Sequence, residues 1–271
     1  MKIYIIADME GIAGVVTPEQ TSGSSSYFEA ARLQYTREVK AVCEAALESG
    51  AEEIYINDFH GNGLNIMPEK MPKEAMVIRG TFRPCSGFDL LDKTFAGLIL
   101  LGVHVRSATS KGVIPHTYTQ KISYEIFGQP VGEFDLLSLI AGECNVPTIL
   151  ISGDSLAIEQ ARTNLPSTHM VITKFPVGNE SALCIHPDRV IEQLKEETRR
   201  AVKAIRTIEP PQIAPPTQLV IRLNDVSITP RIEWIPGLKK TGENTYEYLG
   251  QSMKEIANIV YGTATLAECK F

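Results

Sequence analysis

The run Lys2-Ile3-Tyr4-Ile5-Ile6-Ala7-Asp8-Met9-Glu10-Gly11 decides the fold. After the lysine, the residues up to Ala7 are apolar and barely alternate. That suits a strand buried on both faces, as in a parallel sheet covered by helices. Asp8 ends it abruptly. Serines at 22–26 can cap a helix, and Phe28, Ala31, Leu33, Tyr35, Val39, Val42, Ala46 and Leu47 carry the apolar pattern to a glycine stop at Gly50. Short apolar runs at 54–57, 98–103 and 148–152 read as further strands, each followed at once by polar or glycine residues. The order strand, helix, strand predicts an α/β fold, a three-layer sandwich around a largely parallel central sheet.

Residues 113–126 hold β-branched and aromatic residues and read as a hairpin or irregular excursion, followed by an apolar helix over 133–143. An amphipathic helix over 187–207, with proline at its start, places Val190, Ile191, Leu194, Ala201 and Ile205 on one face. Four prolines within 209–217 mark a stiff linker. We therefore expect a larger α/β domain over 1–208 and a smaller α/β lobe over 209–271, with a strand at 219–223, a turn at Pro236-Gly237 and a last helix over 246–261.

With 44% hydrophobic and 21% charged residues, the chain has the composition of a globular protein. A net charge of -6 with scattered lysines and arginines offers no phosphate-binding face, so nucleic acid is not an expected partner. The first apolar run is too short for a signal peptide and none is long enough to span a membrane, which predicts a cytoplasmic protein without a membrane partner. The five cysteines (Cys43, Cys85, Cys144, Cys184, Cys269) have neither disulfide-framework nor thiolate-zinc spacing and are expected to be reduced and mostly buried.

Ligands of open α/β sheets bind beyond the carboxyl ends of the strands, where the loops converge. Asp8 and Glu10 follow the first strand, Asp58 and His60 the second, and His104 the third. Each has a plainer reading: a carboxylate as helix cap or solvated loop, His60 as a loop histidine, Glu133 as an N-terminal carboxylate on a helix dipole. His104 ends a deeply apolar strand, where its ring nitrogens need partners and a metal is one good answer. The joint pattern shifts the balance, because two of only five histidines sit at strand ends beside acids. Two histidines and three carboxylates suit a pair of zinc ions, with Asp8 bridging. His116 reads equally as structural or functional. Asp154 reads first as a helix cap and second as a residue that orients a ligand. His169 and His186 receive no role. The sequence lacks His-Glu-x-x-His, a Gly-x-Ser-x-Gly elbow, a Walker loop and a full dinucleotide fingerprint.

The motifs Asp8-Met9-Glu10-Gly11, Asn57-Asp58-Phe59-His60, Leu101-Gly102-Val103-His104, Val113-Ile114-Pro115-His116 and Val131-Gly132-Glu133 together resemble the D-aminopeptidases of peptidase family M55. The likeness covers nearly the whole chain and loosens toward its end. It implies two zinc ions per subunit, replaceable by Co2+ or Mn2+, held by Asp8, Glu10, His60, His104 and Glu133. It also implies that His116 is the catalytic histidine and that the chain forms a homo-oligomer, a decamer. The expected activity is zinc-dependent release of amino-terminal, D-configured residues from short peptides or amides. A metal-dependent hydrolase of other amides or lactams and a non-catalytic small-molecule binding protein stand as alternatives.

Overall fold

The computed structural model describes residues 1–81, 83 and 87–269. In chain order the elements are β1 (Lys2–Ala7), α1 (Ser26–Glu48), β2 (Glu53–Asp58), β3 (Ala75–Ile78), β4 (Gly97–Val103), β5 (Ile122–Ile126), β6 (Gln129–Val131), α2 (Glu133–Glu143) and β7 (Thr148–Asp154). They continue with α3 (Ser155–Asn164), β8 (His169–Gly178), β9 (Ser181–Cys184), α4 (Pro187–Ala204), β10 (Thr217–Leu223), α5 (Thr229–Ile232), β11 (Lys239–Lys240), β12 (Thr245–Gly250) and α6 (Met253–Glu268).

Seven strands form the main sheet in the order β3-β2-β1-β4-β7-β8-β9. All its pairings are parallel except the β8–β9 hairpin. The fold is therefore the predicted α/β sandwich, and β1 shows why its sequence lacks alternation. Ile3, Ile5 and Ala7 pack with Tyr35, Val39 and Val42 of α1 and with Val190 and Leu194 of α4. Tyr4 and Ile6 face the other way, against Phe134 and Leu137 of α2 and Ala157 and Ile158 of α3. Burying each such large apolar side chain stabilises the fold by about 1.5–3 kcal/mol. Both faces are covered, so both sets of side chains must be apolar.

The sheet grows outward from β1 toward β2 and β3 on one side, and from β4 toward β7 and β8 on the other. The switch point thus falls between β1 and β4, whose carboxyl ends lead into Asp8 and His104. Two glycines let these ends meet. A Cβ on Gly11 would lie 2.1 Å from the Val103 oxygen, and one on Gly102 would lie 2.0 Å from the Asp8 oxygen. The Gly11 amide then donates to the Gly102 carbonyl across 2.8 Å.

The second sheet has the order β11-β12-β10-β5-β6. The predicted excursion is thus a hairpin, β5 and β6, which joins strands from beyond the proline segment, so the smaller sheet does not begin at residue 209. Its core contains Ile122, Tyr124, Leu219 and Ile221 together with Met253, Ile256 and Val260 of α6 and Leu136 and Ile140 of α2. The apolar helix α2 contributes to the cores beside both sheets, which explains its weak polar face. The last helix differs from expectation: Tyr246 lies in β12, paired with Ile221, and α6 starts only at Met253, capped by the Ser252 side chain on the Glu255 amide. Alternation of Tyr246 and Tyr248 with polar residues is a strand period that the helix reading overrode.

The cysteines also differ from expectation. Among the described ones only Cys43 is buried; Cys144 and Cys269 are partly buried, Cys184 is exposed, and Cys85 lies outside the described residues. Cys184 is displaced outward because β9 is the edge of the sheet. No described helix is long and apolar enough to cross a membrane.

Candidate metal centre

Asp8, Glu10, His60, His104, Glu133 and His116 converge beyond the carboxyl ends of β1, β2 and β4. His60 Nδ1 lies 3.0 Å from an oxygen of Asp8 and 3.0 Å from Glu10 Oε2. His104 Nε2 lies 3.5 Å from the second Asp8 oxygen and 3.6 Å from Glu133 Oε1. His116 Nε2 lies 3.7 Å from that same Glu133 oxygen, and its ring stacks on His104 with centroids 4.1 Å apart. Asp8 thus stands between a Glu10–His60 side and a His104–Glu133 side.

Each histidine has one ring nitrogen on a backbone carbonyl: His60 Nε2 on Thr21, His104 Nδ1 on Val105, and His116 Nδ1 on Ile114. Carbonyls only accept, so each of these nitrogens carries a proton, and the opposite nitrogen of each ring faces the carboxylates. This is how metal-binding imidazoles are fixed in orientation and tautomer. Glu10 Oε2 and His104 Nε2 are buried without a hydrogen-bond partner among the described residues. Leaving such groups unsatisfied costs about 1–3 kcal/mol each. Donor atoms of Asp8, Glu10 and His104, and those of His104, His116 and Glu133, fall within 4.8 Å of one another. The oxygen and nitrogen donor set fits zinc.

Protons and a cation would compete for these atoms. Burial and the charge of Glu10 push the Asp8 carboxyl up to about 7. Burial also opposes ionisation of Glu10, yet the charge of His60 beside it holds it well below the usual carboxylate range. Burial disfavours a charged His104, but the neighbouring carboxylates of Glu133, Asp8 and Glu10 raise it to about 10. His116 moves the other way: burial and the neighbouring His104 charge lower it, so its ring is neutral at pH 7. Metal ligands bind deprotonated, so an ion here would displace the proton from His104.

The His116 loop is strained. Ile114 (φ 46°) and Tyr118 (φ 57°) both adopt left-handed backbone, a conformation rare for a β-branched residue. It persists because Ile114 is buried and bonded to the Asn179 carbonyl, while the Tyr118 amide donates to Glu133 across 2.6 Å. Strain of this kind clusters at functional sites.

Asp58 does not join the cluster. It is fully buried and accepts the Asn65 and Ile66 amides and the Tyr35 hydroxyl, which shapes the loop that carries His60. Asp154 caps α3 through the Leu156 and Ala157 amides, as its first reading held. His169 pairs with Glu197, away from the site. A cavity of about 470 Å³ opens over Asp8, His60, His116 and Glu133, walled by Phe59, Tyr118 and Tyr261 and by Thr265 and Glu268 of α6. Sequence reasoning missed this α6 wall, because nothing local to residues 261–268 marks them as neighbours of β1.

The D-aminopeptidase profile of peptidase family M55 matches residues 1–261. A D-aminopeptidase of Bacillus subtilis (strain 168) is 32% identical over 263 residues, covering 94% of this chain and 93% of the relative. The solved structure of the Zn-dependent D-aminopeptidase DppA from Bacillus subtilis, described as a self-compartmentalizing protease, superimposes with a TM-score of 0.95 at 29% identity, covering 100% of both chains. The chain therefore belongs to the D-aminopeptidase family, peptidase family M55, and is an enzyme that hydrolyses peptide or amide bonds.

Proposed function

We propose that this enzyme is a binuclear zinc aminopeptidase that releases amino-terminal D-residues from short peptides or amides. The observation that carries the reading is the set of imidazole nitrogens and buried carboxylate oxygens gathered together beneath the cavity, each ring held by a backbone carbonyl at its other nitrogen. Glu10 and His60 would hold one ion, His104 and Glu133 the other, and Asp8 would be shared. When bound, the zinc ions supply Lewis-acid polarisation of the scissile carbonyl and lower the pKa of a water to near neutrality.

His116 has a different task. Its side chain is 21% exposed against 3% for His104, so it faces the cavity rather than the interior. With Nδ1–H tied to Ile114, Nε2 is free to accept the proton of the attacking water and return it to the leaving amine nitrogen. Burial favours the neutral form of the His116 ring, which suits a base. Phe59, Tyr118 and Tyr261 exclude bulk water around the scissile bond, and the cavity's size suits a short peptide rather than a folded chain. We further propose a cytoplasmic homo-oligomer, a decamer in keeping with the family resemblance. The self-compartmentalizing relative supports an oligomer.

Hydrolysis of paired D- and L-alanine amides, with and without a chelator and after zinc or cobalt restoration, tests the reading. Activity on the D-amide that vanishes with chelation and returns with metal is expected. Undiminished activity in metal-free protein would refute it, and a wider panel including lactams would separate other amide substrates.

A further inference from the structure

Two adjacent side chains of β8, far away in sequence, grip the loop that carries Asp8 and Glu10. The Lys174 ammonium donates to the carbonyls of Glu10 and, across 2.8 Å, Ile12, and the Thr173 hydroxyl donates to the carbonyl of Gly11. Three successive carbonyls are therefore held from below. Lys174 is fully buried, a costly place for a charge unless it is paired. Its counter-charges are Asp154 and Glu38, also fully buried. Each keeps one carboxylate oxygen without a hydrogen-bond partner among the described residues. Their other oxygens are engaged: Asp154 caps α3, and Glu38 accepts the Ala13 amide at the far end of the same loop.

We propose that Lys174 is a positioning residue of the metal centre: with Thr173 it fixes the carbonyls of residues 10–12 and thereby aims the Glu10 carboxylate at the donor group it forms with Asp8 and His60. The inference rests on the two-zinc reading above. It gives a reason for a buried lysine where an apolar residue would fill the space at lower electrostatic cost. Carbonyls that need a strong, compact donor with several hydrogens are served by an ammonium and not by a methyl group. Lys174 acts on the Glu10 side of the centre, because Asp8 precedes the carbonyls it holds and is anchored to β4 by its own amide on the Leu101 carbonyl, while His104 and Glu133 are carried by β4 and α2.

Zinc competition titrations on full-length protein test this, with wild type, Glu10→Gln, Lys174→Met and the charge-balanced Lys174→Met/Asp154→Asn. Losing a support behind a ligand typically weakens metal binding about 10- to 100-fold. The expected result is that both Lys174 variants weaken the same one of two ions that Glu10→Gln weakens and leave the other unchanged. The visible spectrum of the cobalt-loaded protein should change for that ion alone. General damage to the fold would instead weaken both ions together, and the double variant guards against it by removing the carboxylate left unpaired. Wild-type affinity for both ions in the double variant, or equal weakening of both, would overturn the proposal. Zinc binding that Glu10→Gln leaves untouched would overturn the metal-centre reading itself, and this inference with it.

Discussion

Replacing Gly11 by alanine adds one methyl group where the two strand ends meet. That Cβ would stand 2.1 Å from the Val103 oxygen and 2.3 Å from the Gly102 carbonyl carbon, whereas ordinary contact begins at 3.4 Å. The obstructing atoms belong to the backbone of β4 in the middle of the main sheet, so the Asp8–Ile12 loop must do the retreating. The deficit is roughly 1 Å, a displacement that can cost about a hundredfold in rate when it moves catalytic geometry. We expect kcat/KM to fall about a hundredfold, zinc affinity about 10- to 100-fold, and stability about 1–3 kcal/mol, as for other overpacked sites. Gly14→Ala is the control. Gly14 has φ +80° and nothing within 4 Å of its missing Cβ, so alanine there meets only backbone strain. Strain of that kind costs about 1–2 kcal/mol. The assays are D-alanine amide hydrolysis, chelator competition and thermal melting. A Gly11→Ala enzyme with wild-type zinc affinity and turnover, or a Gly14→Ala enzyme equally impaired in both, would refute the claim that close approach of β1 and β4 builds the site.

His116→Ala is expected to keep its zinc and lose about 100- to 10,000-fold in turnover. Loss of metal in that variant would make His116 a ligand, and full activity would remove its role. Chelation should lower the melting temperature, since an ion present at a hundred times its dissociation constant stabilises by about 2.7 kcal/mol; a melting curve indifferent to chelator would contradict a resident metal. Asp135 is buried at the start of α2, and burial raises its carboxyl to about 6 from 3.8. A raised carboxyl favours the folded state only while protonated, so its contribution is complete below about pH 4 and is lost as pH rises through about 6. Two units correspond to about 3 kcal/mol. Asp135→Asn, whose amide the Asn164 side chain can turn to meet, should therefore gain on wild type by about that amount between pH 4 and 7 in urea unfolding of metal-free protein; a pH-independent difference would disprove it.

The unbroken apolar run of β1 has one physical solution, a strand covered on both faces. From it the α/β class, the parallel sheet and the position of ligands at strand ends follow without tertiary information. The order of the candidate residues was legible for the same reason: Asp8, His60 and His104 each follow a buried strand, and burial is written in the side chains. Helix Tyr246–Tyr261 was misread because two periods overlap there and only pairing with β10 selects the strand. Residue type and placement alone do not separate Asp58 from Asp8, because both stand at the ends of apolar strands; the family resemblance names Asp8, and in the fold the Asn65 and Ile66 amides claim Asp58.

What the sequence determined by itself is the layered fold and the acids and histidines gathered at its strand ends, since both depend on local composition and period, while the proposed ligand set that includes Glu133 comes from the family resemblance. What the tertiary structure alone decided is which nitrogens and oxygens face one another, that α6 walls the cavity, and that Lys174 lies beneath Glu10. Those contacts join residues as far apart as 164 positions along the chain. No local pattern encodes them, because a hydrogen bond across the sheet is selected by the packing of whole layers and leaves no periodic trace at either end.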